Sequence, residues 1–193
     1  MKTITTPFSG GCACGAIRYQ ATADPVMMLH CHCRDCQQSS GGPFSSFVVV
    51  PAEAFKLLQG SLRFHASPSE MGGKTHRGFC PECGSPILGK PDLVPHIVAI
   101  RTASLDDPSW FNPQIDVWTS DAHPWDQMNP ALSKFEKYPP FGDSADPAAP
   151  YPLEHSNTTN HKNIMPKIKT VRGIENRKVV SQRNGLSPAR NFS

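Results

Sequence analysis

Seven cysteines, at positions 12, 14, 31, 33, 36, 80 and 83, constrain what this chain can fold into more than any other feature. They form three groups, C-A-C, C-H-C-R-D-C and C-P-E-C. The opening "MKTITTPFSGG" lacks the apolar core of an export signal, and the longest apolar runs, such as "FVVV" at 47–50, are too short to span a bilayer. A cytoplasmic protein without membrane contact is therefore expected. In a reducing compartment, clustered cysteines point to metal binding or chemistry before disulfides.

The group Cys80-Pro81-Glu82-Cys83-Gly84 is the most specific. A C-x-x-C turn followed by Gly wraps the backbone round a metal, and Gly tolerates the left-handed geometry needed there. Two thiolates from this turn leave a metal two ligands short. Cys12 and Cys14 stand at i and i+2, the same side of an extended chain, with Gly10, Gly11 and Gly15 around them. Two plus two makes a closed four-thiolate site of the structural kind. Cys31, Cys33 and Cys36 then remain, and three thiolates leave the open position that marks a catalytic zinc.

Spacing alone leaves other divisions open. One is Cys33/Cys36 with Cys80/Cys83 in a zinc ribbon or a rubredoxin-like iron site. Zinc is favoured over iron because nothing else suggests electron transfer, although thiolate softness suits both. His32 faces away from Cys31 and Cys33 if the stretch is extended. His30 could be a ligand, a hydrogen-bond donor to one, or a surface residue, and His65, His76, His96 and His123 lack ligand spacing.

Around the cysteines, "AIRYQA", "FVVV", "LRFHA", "THRGF" and "HIVAI" read as short strands, and "MMLHCHC" at 27–33 as an extended stretch running into a turn. "RDCQQSS" reads as a short helical turn halted by Gly41-Gly42-Pro43, and "AEAFKLL" is ambiguous between helical turn and strand. With 20 prolines and 38% hydrophobic residues, a β-rich fold of short elements is expected over a helical bundle. Five prolines between 139 and 152 mark residues 139–154 as an extended linker. Residues 1–154 carry 11 basic and 15 acidic side chains, net −4, while 155–193 carry eight basic and one acidic, net +7. The body has no nucleic-acid footprint, and the basic, polar tail at 155–193 is expected to be disordered.

"GGCACGAIRY", "CHCRDCQQSSGG" and "RGFCPECGSPI", followed by "SLDDP" and "DVWTSDAHPW", resemble the glutathione-dependent formaldehyde-activating (GFA, or CENP-V/GFA) domain family over about residues 8–138. The resemblance implies a mainly β fold of the β-tent type, several coiled antiparallel sheets organised around zinc. It implies two zinc per chain: a structural one on Cys12, Cys14, Cys80 and Cys83, and a catalytic-type one on Cys31, Cys33 and Cys36. It implies a carbon–sulfur lyase-type enzyme that joins glutathione to formaldehyde as S-(hydroxymethyl)glutathione, with a small-molecule thiol and an aldehyde as partners. One departure stands out: Asp116 lies where members often carry His.

The chemistry suits the residues. A free thiol with a pKa of about 8.5 is mostly protonated at neutral pH, and zinc deprotonates it. Three thiolates leave the zinc site net negative, so thiol capture is expected before carbonyl activation. Arg34 and Arg77 are candidate partners for substrate carboxylates, though ordinary surface charge explains both equally well. Gln37, Ser39 and Ser40 could bind a peptide-like ligand, but turn capping is the expected role. The contrasting reading is a non-enzymatic zinc module that uses the same fold to bind protein or nucleic acid. A ligand-deficient second metal favours the enzyme.

Overall fold

The computed structural model describes residues 4–139, within the first of two compact units, Met1–Glu154. The expected linker beyond Pro139 and the expected tail at 155–193 lie outside the described residues. In chain order the strands are β1 (Phe8–Gly11), β2 (Arg18–Ala21), β3 (Met27–Cys31), β4 (Ser45–Pro51), β5 (Phe55–Gln59), β6 (Arg63–Pro68), β7 (Lys74–Phe79), β8 (Pro86–Pro91), β9 (Ile97–Arg101), β10 (Ile115–Val117) and β11 (Ser133–Phe135). One helix, α1 (Arg34–Ser40), follows β3. The ambiguous "AEAFKLL" is both things in turn: a 3-10 turn at Ala52–Ala54, then β5.

The expected mainly β fold is what forms, in two sheets. The smaller runs β1-β2-β5, all antiparallel. The larger has eight strands in the order β11-β10-β3-β4-β9-β8-β7-β6. β10 lies parallel to β3 and to β11, and the other pairs are antiparallel.

The run Phe47–Val50 explains how the layers meet. Successive side chains on a strand point to opposite faces, so a strand without polar alternation is covered on both. Val48 and Val50 join Val98, Ile100 and Leu88 in one core with Tyr19 and Ala21 of the smaller sheet and Ile17 just before it. Phe47 and Val49 join Leu29, Cys31, Ile115 and Val117 in a second cluster. Even-numbered positions of β3, β4 and β9 thus hold the sheets together, and odd-numbered ones face the other way. Burying side chains of this size contributes on the order of 1.5–3 kcal/mol each.

Gly10 shows how closely the layers approach. A Cβ there would sit 2.3 Å from both the Ser104 carbonyl oxygen and the Tyr19 hydroxyl, so no side chain fits. Tyr19, fully buried, instead shares a 2.8 Å hydrogen bond with Ser104 Oγ.

Candidate metal centres

Two turns build the first cluster. The Cys12 N–H donates to the Ile17 carbonyl at 3.2 Å, and Gly15 turns the chain with φ +79°. The Gly84 N–H donates to the Cys80 carbonyl at 3.0 Å, with Gly84 at φ +73°, the left-handed geometry expected of it. The Ala13 N–H reaches Ser85 Oγ at 3.2 Å and ties the turns together. The sulfurs of Cys12, Cys14, Cys80 and Cys83 lie within 4.8 Å of one another.

This donor set fits a metal. Cys12 and Cys14 sulfurs are 3.4 Å apart, and Cys14 and Cys80 are 3.8 Å apart. A tetrahedron with zinc–sulfur bonds of about 2.3 Å has edges of about 3.8 Å, whereas a disulfide would be about 2 Å. The Ser85 hydroxyl and backbone pull the Cys83 thiol down to about 5, so it ionises readily.

The second cluster forms where β3 ends. Cys31 is its last residue, Cys33 precedes α1, and Cys36 lies in the first turn of the helix. All three sulfurs are within 4.8 Å of one another, with Cys31 and Cys36 buried and Cys33 partly so. Hydrogen bonds from Cys31 and Cys33 hold the Cys36 thiol well below its ordinary value, and the Arg101 and Arg77 guanidinium groups lower it further. The same sharing, with Cys33 first, pushes Cys31 well up. One thiolate is thus favoured before any metal arrives. Three soft donors at this separation suit zinc and leave it a ligand short.

His32 does point away from the cysteines on either side. Its ring is fully buried, with Nδ1 2.7 Å from Asp126 Oδ2 and Nε2 3.2 Å from Asp116 Oδ1. Lys134 Nζ donates to the other Asp116 oxygen at 3.2 Å. His30 shares a 2.8 Å bond with Ser46 Oγ and packs 4.4 Å from the Phe44 ring. Neither histidine joins a cluster.

The polar residues of α1 serve the fold. Gln37 donates to the carbonyls of His32 at 2.7 Å and Asp121 at 3.0 Å, pinning the helix to the loops beside it. Ser40 caps, donating to the Phe44 carbonyl at 2.9 Å, and Ser39 Oγ accepts 2.6 Å from Arg101. Of the two candidate arginines, Arg77 pairs with Asp35 at 3.0 Å, and exposed Arg34 donates to Gln37 Oε1 at 3.0 Å.

Sequence reasoning missed Arg101. It ends β9 and is only 6% exposed, with its guanidinium 4.7 Å over the Phe47 ring. Among the described residues no carboxylate pairs with it. Its nearest compensation is the Cys36 thiolate, which offsets part of the burial cost. A basic residue closing the apolar run "HIVAI" was the available signal.

A cavity of about 230 Å³ adjoins Cys31, Cys33 and Cys36, and none of the four other cysteines lines it. The larger sheet's odd-numbered face forms one wall, through Leu29, Phe47, Val49, Ile97 and Arg101. Trp118, held at φ +60°, and Tyr138 close another side, their rings perpendicular at 6.0 Å. No helix among the described residues is long and apolar enough to cross a membrane.

A family model described as "Glutathione-dependent formaldehyde-activating enzyme" matches residues 7–121. A crystal structure of a Rhodobacter sphaeroides protein is similar with a TM-score of 0.43 and 15% identity, covering 66% of this chain and 98% of that one.

Proposed function

Because the chain belongs to the glutathione-dependent formaldehyde-activating enzyme family, we propose that it is a zinc-dependent carbon–sulfur lyase-type enzyme acting on a thiol–aldehyde adduct, of which S-(hydroxymethyl)glutathione is the family's type. The observation that carries this is the unequal placing of the two clusters: the three-cysteine one lines a cavity and the four-cysteine one does not. In this reading Cys12, Cys14, Cys80 and Cys83 hold a structural zinc, and Cys31, Cys33 and Cys36 hold the working one. A closed four-thiolate site has no room for substrate, whereas a three-thiolate site does. The reduced thiolates fit a cytoplasmic protein.

Zinc held by Cys31, Cys33 and Cys36 would supply a position at which a thiol loses its proton and becomes nucleophilic. The chain's own residues do the rest. Arg101 and Arg77 offset the net negative charge of three thiolates on a dication. The cavity shelters the adduct from water, which would otherwise compete for the aldehyde. The sulfur adds to the carbonyl carbon as the C=O π bond opens, and the thiol proton ends on the new hydroxyl. Nothing is oxidised or reduced, and the reverse path is the lyase direction.

The test is exchange spectroscopy on formaldehyde mixed with a panel of thiols, glutathione among them, with and without the zinc-loaded protein. Faster adduct exchange with at least one thiol is expected, abolished in Cys33→Ser. No acceleration with any thiol would sink the enzymatic reading and leave the zinc-module alternative.

A further inference from the structure

One row of the larger sheet sets the depth of the cavity. Across β3, β4, β9, β8 and β7, Met27 pairs with Val49, Val49 with Ala99, Ala99 with Gly89, and Gly89 with Arg77. The two residues in the middle of that row are the smallest available. A Cβ on Gly89 would touch only Thr75 Cγ2, at 4.0 Å, so space stands open above it. Leu93, Val94, Ile97 and Met71 also line the hollow.

The charged side chains of the lining are Arg34, Asp35, Glu70, Arg77, Arg101 and Asp121. Arg101 lies against Cys36, and Arg77 is already paired with Asp35. Glu70, at the rim, is paired with Lys137 at 2.7 Å. The rest of the lining is mainly apolar, with Ser69 and Thr75 among its few hydroxyls, so it offers few partners to a remote carboxylate or to peptide groups. Burying such groups unpaired costs on the order of 1–3 kcal/mol each. Glutathione, with its carboxylates, ammonium and peptide bonds, is poorly matched to this lining. Size agrees: an apolar cavity of about 150 Å³ takes a benzene ring, and this one holds about 230 Å³.

We propose that the thiol taken by this site is a compact apolar one, about the size of phenylmethanethiol, its sulfur at Cys31, Cys33 and Cys36 and its hydrocarbon body over Ala99 and Gly89, and that glutathione is the weaker ligand. This rests on the thiol–aldehyde reading above. The chemistry is unchanged: a C–S bond forms at the aldehyde carbon, and the thiol proton moves to its oxygen.

The experiment is calorimetric titration of the zinc-loaded full-length protein with phenylmethanethiol and with glutathione, which reads binding and not turnover. Phenylmethanethiol should bind at least about tenfold more tightly, as its buried apolar surface favours. Ala99→Phe fills the hollow and should remove that preference with zinc content unchanged. If Ala99→Phe does not fold, Leu93→Glu serves instead, because Leu93 is 50% exposed and its replacement spares the core. It too should weaken phenylmethanethiol selectively. Equal affinities, tighter glutathione binding, or a preference that survives both variants overturns the proposal and leaves the enzymatic reading standing. Binding of neither thiol to the folded, fully zinc-loaded protein overturns both.

Discussion

His32 and Asp116 meet at 3.2 Å in the protein's interior, with 0% and 1% of their surfaces exposed. Asp116 is shared between His32, the residue after β3, and Lys134 on β11, and β10, which carries it, runs between those two strands. With Asp126 on the other ring nitrogen, His32 is fixed from both sides. A side chain so fixed between Cys31 and Cys33 keeps both cysteines aimed the opposite way.

Removing one partner should therefore be costly. Asp116→Ala leaves His32 and Lys134 facing a void, and breaking a buried pair this way destabilises by on the order of 3 kcal/mol. Urea unfolding would show it as a lower midpoint with an unchanged slope. A change below about 0.5 kcal/mol would mean that water replaces the carboxylate.

The two cysteine clusters should respond differently to a single lost thiolate. Cys80→Ser removes a fully buried sulfur, and a structural zinc held there would supply folding free energy directly. Circular dichroism should show an unfolded or strongly destabilised chain. Cys33→Ser, at a partly exposed position, should keep the fold and lose one of two zinc by elemental analysis. Equal folding defects in the two variants would refute the division of roles.

Arg101 should matter to the metal as much as to the fold. Residues that touch ligands without binding the metal change affinity by about tenfold or more. Arg101→Met should weaken zinc at the three-cysteine cluster by about that factor in a chelator competition, and Arg101→Lys should restore most of it. If Arg101→Lys is as weak as Arg101→Met, the guanidinium's bond to Ser39 matters and not its charge.

Acid should expose a smaller effect at the edge of the first sheet. Arg18 donates to both Asp106 oxygens, one at 2.8 Å, and with Ser9 it holds the Asp106 carboxyl below its ordinary value. A depressed folded pKa contributes stability above the unfolded value of about 3.9, and that stability is lost as pH falls through the folded value. The side chains are 36% and 42% exposed, so solvent screening limits the pair to at most about 1 kcal/mol. Melting curves of wild type and Asp106→Asn should differ at neutral pH and converge below about pH 3.

The three cysteine groups were legible from spacing because each is local, whereas their division into four and three depends on which turns the fold brings together. C-P-E-C-G specifies its own turn, and C-A-C its own side of a strand. The strand was also plain from "HIVAI" at 96–100, one residue ahead of the observed Ile97–Arg101. Arg101's role was not, because it depends on β9 lying beside β4, whose partner residue Phe47 is more than fifty positions away in the chain. The same holds for the hollow over Ala99 and Gly89, which exists only once β8 and β9 pair. β10 and β11 were missed for a different reason. Each has three residues, too few to show a period of two, and they are held by parallel pairing to a strand elsewhere.

The alternation along β3, β4 and β9 has a consequence for how such a protein can change. Positions that grip the smaller sheet and positions that line the cavity do not coincide on these strands, since neighbours on a strand face opposite ways. Val48, Val98 and Ile100 pack the core between the sheets, and Val49, Ile97 and Ala99 shape the cavity. A lineage could trade one guest for another by point substitution at every second residue without renegotiating the fold, whereas a single inserted residue in β4 would exchange the two sets at once.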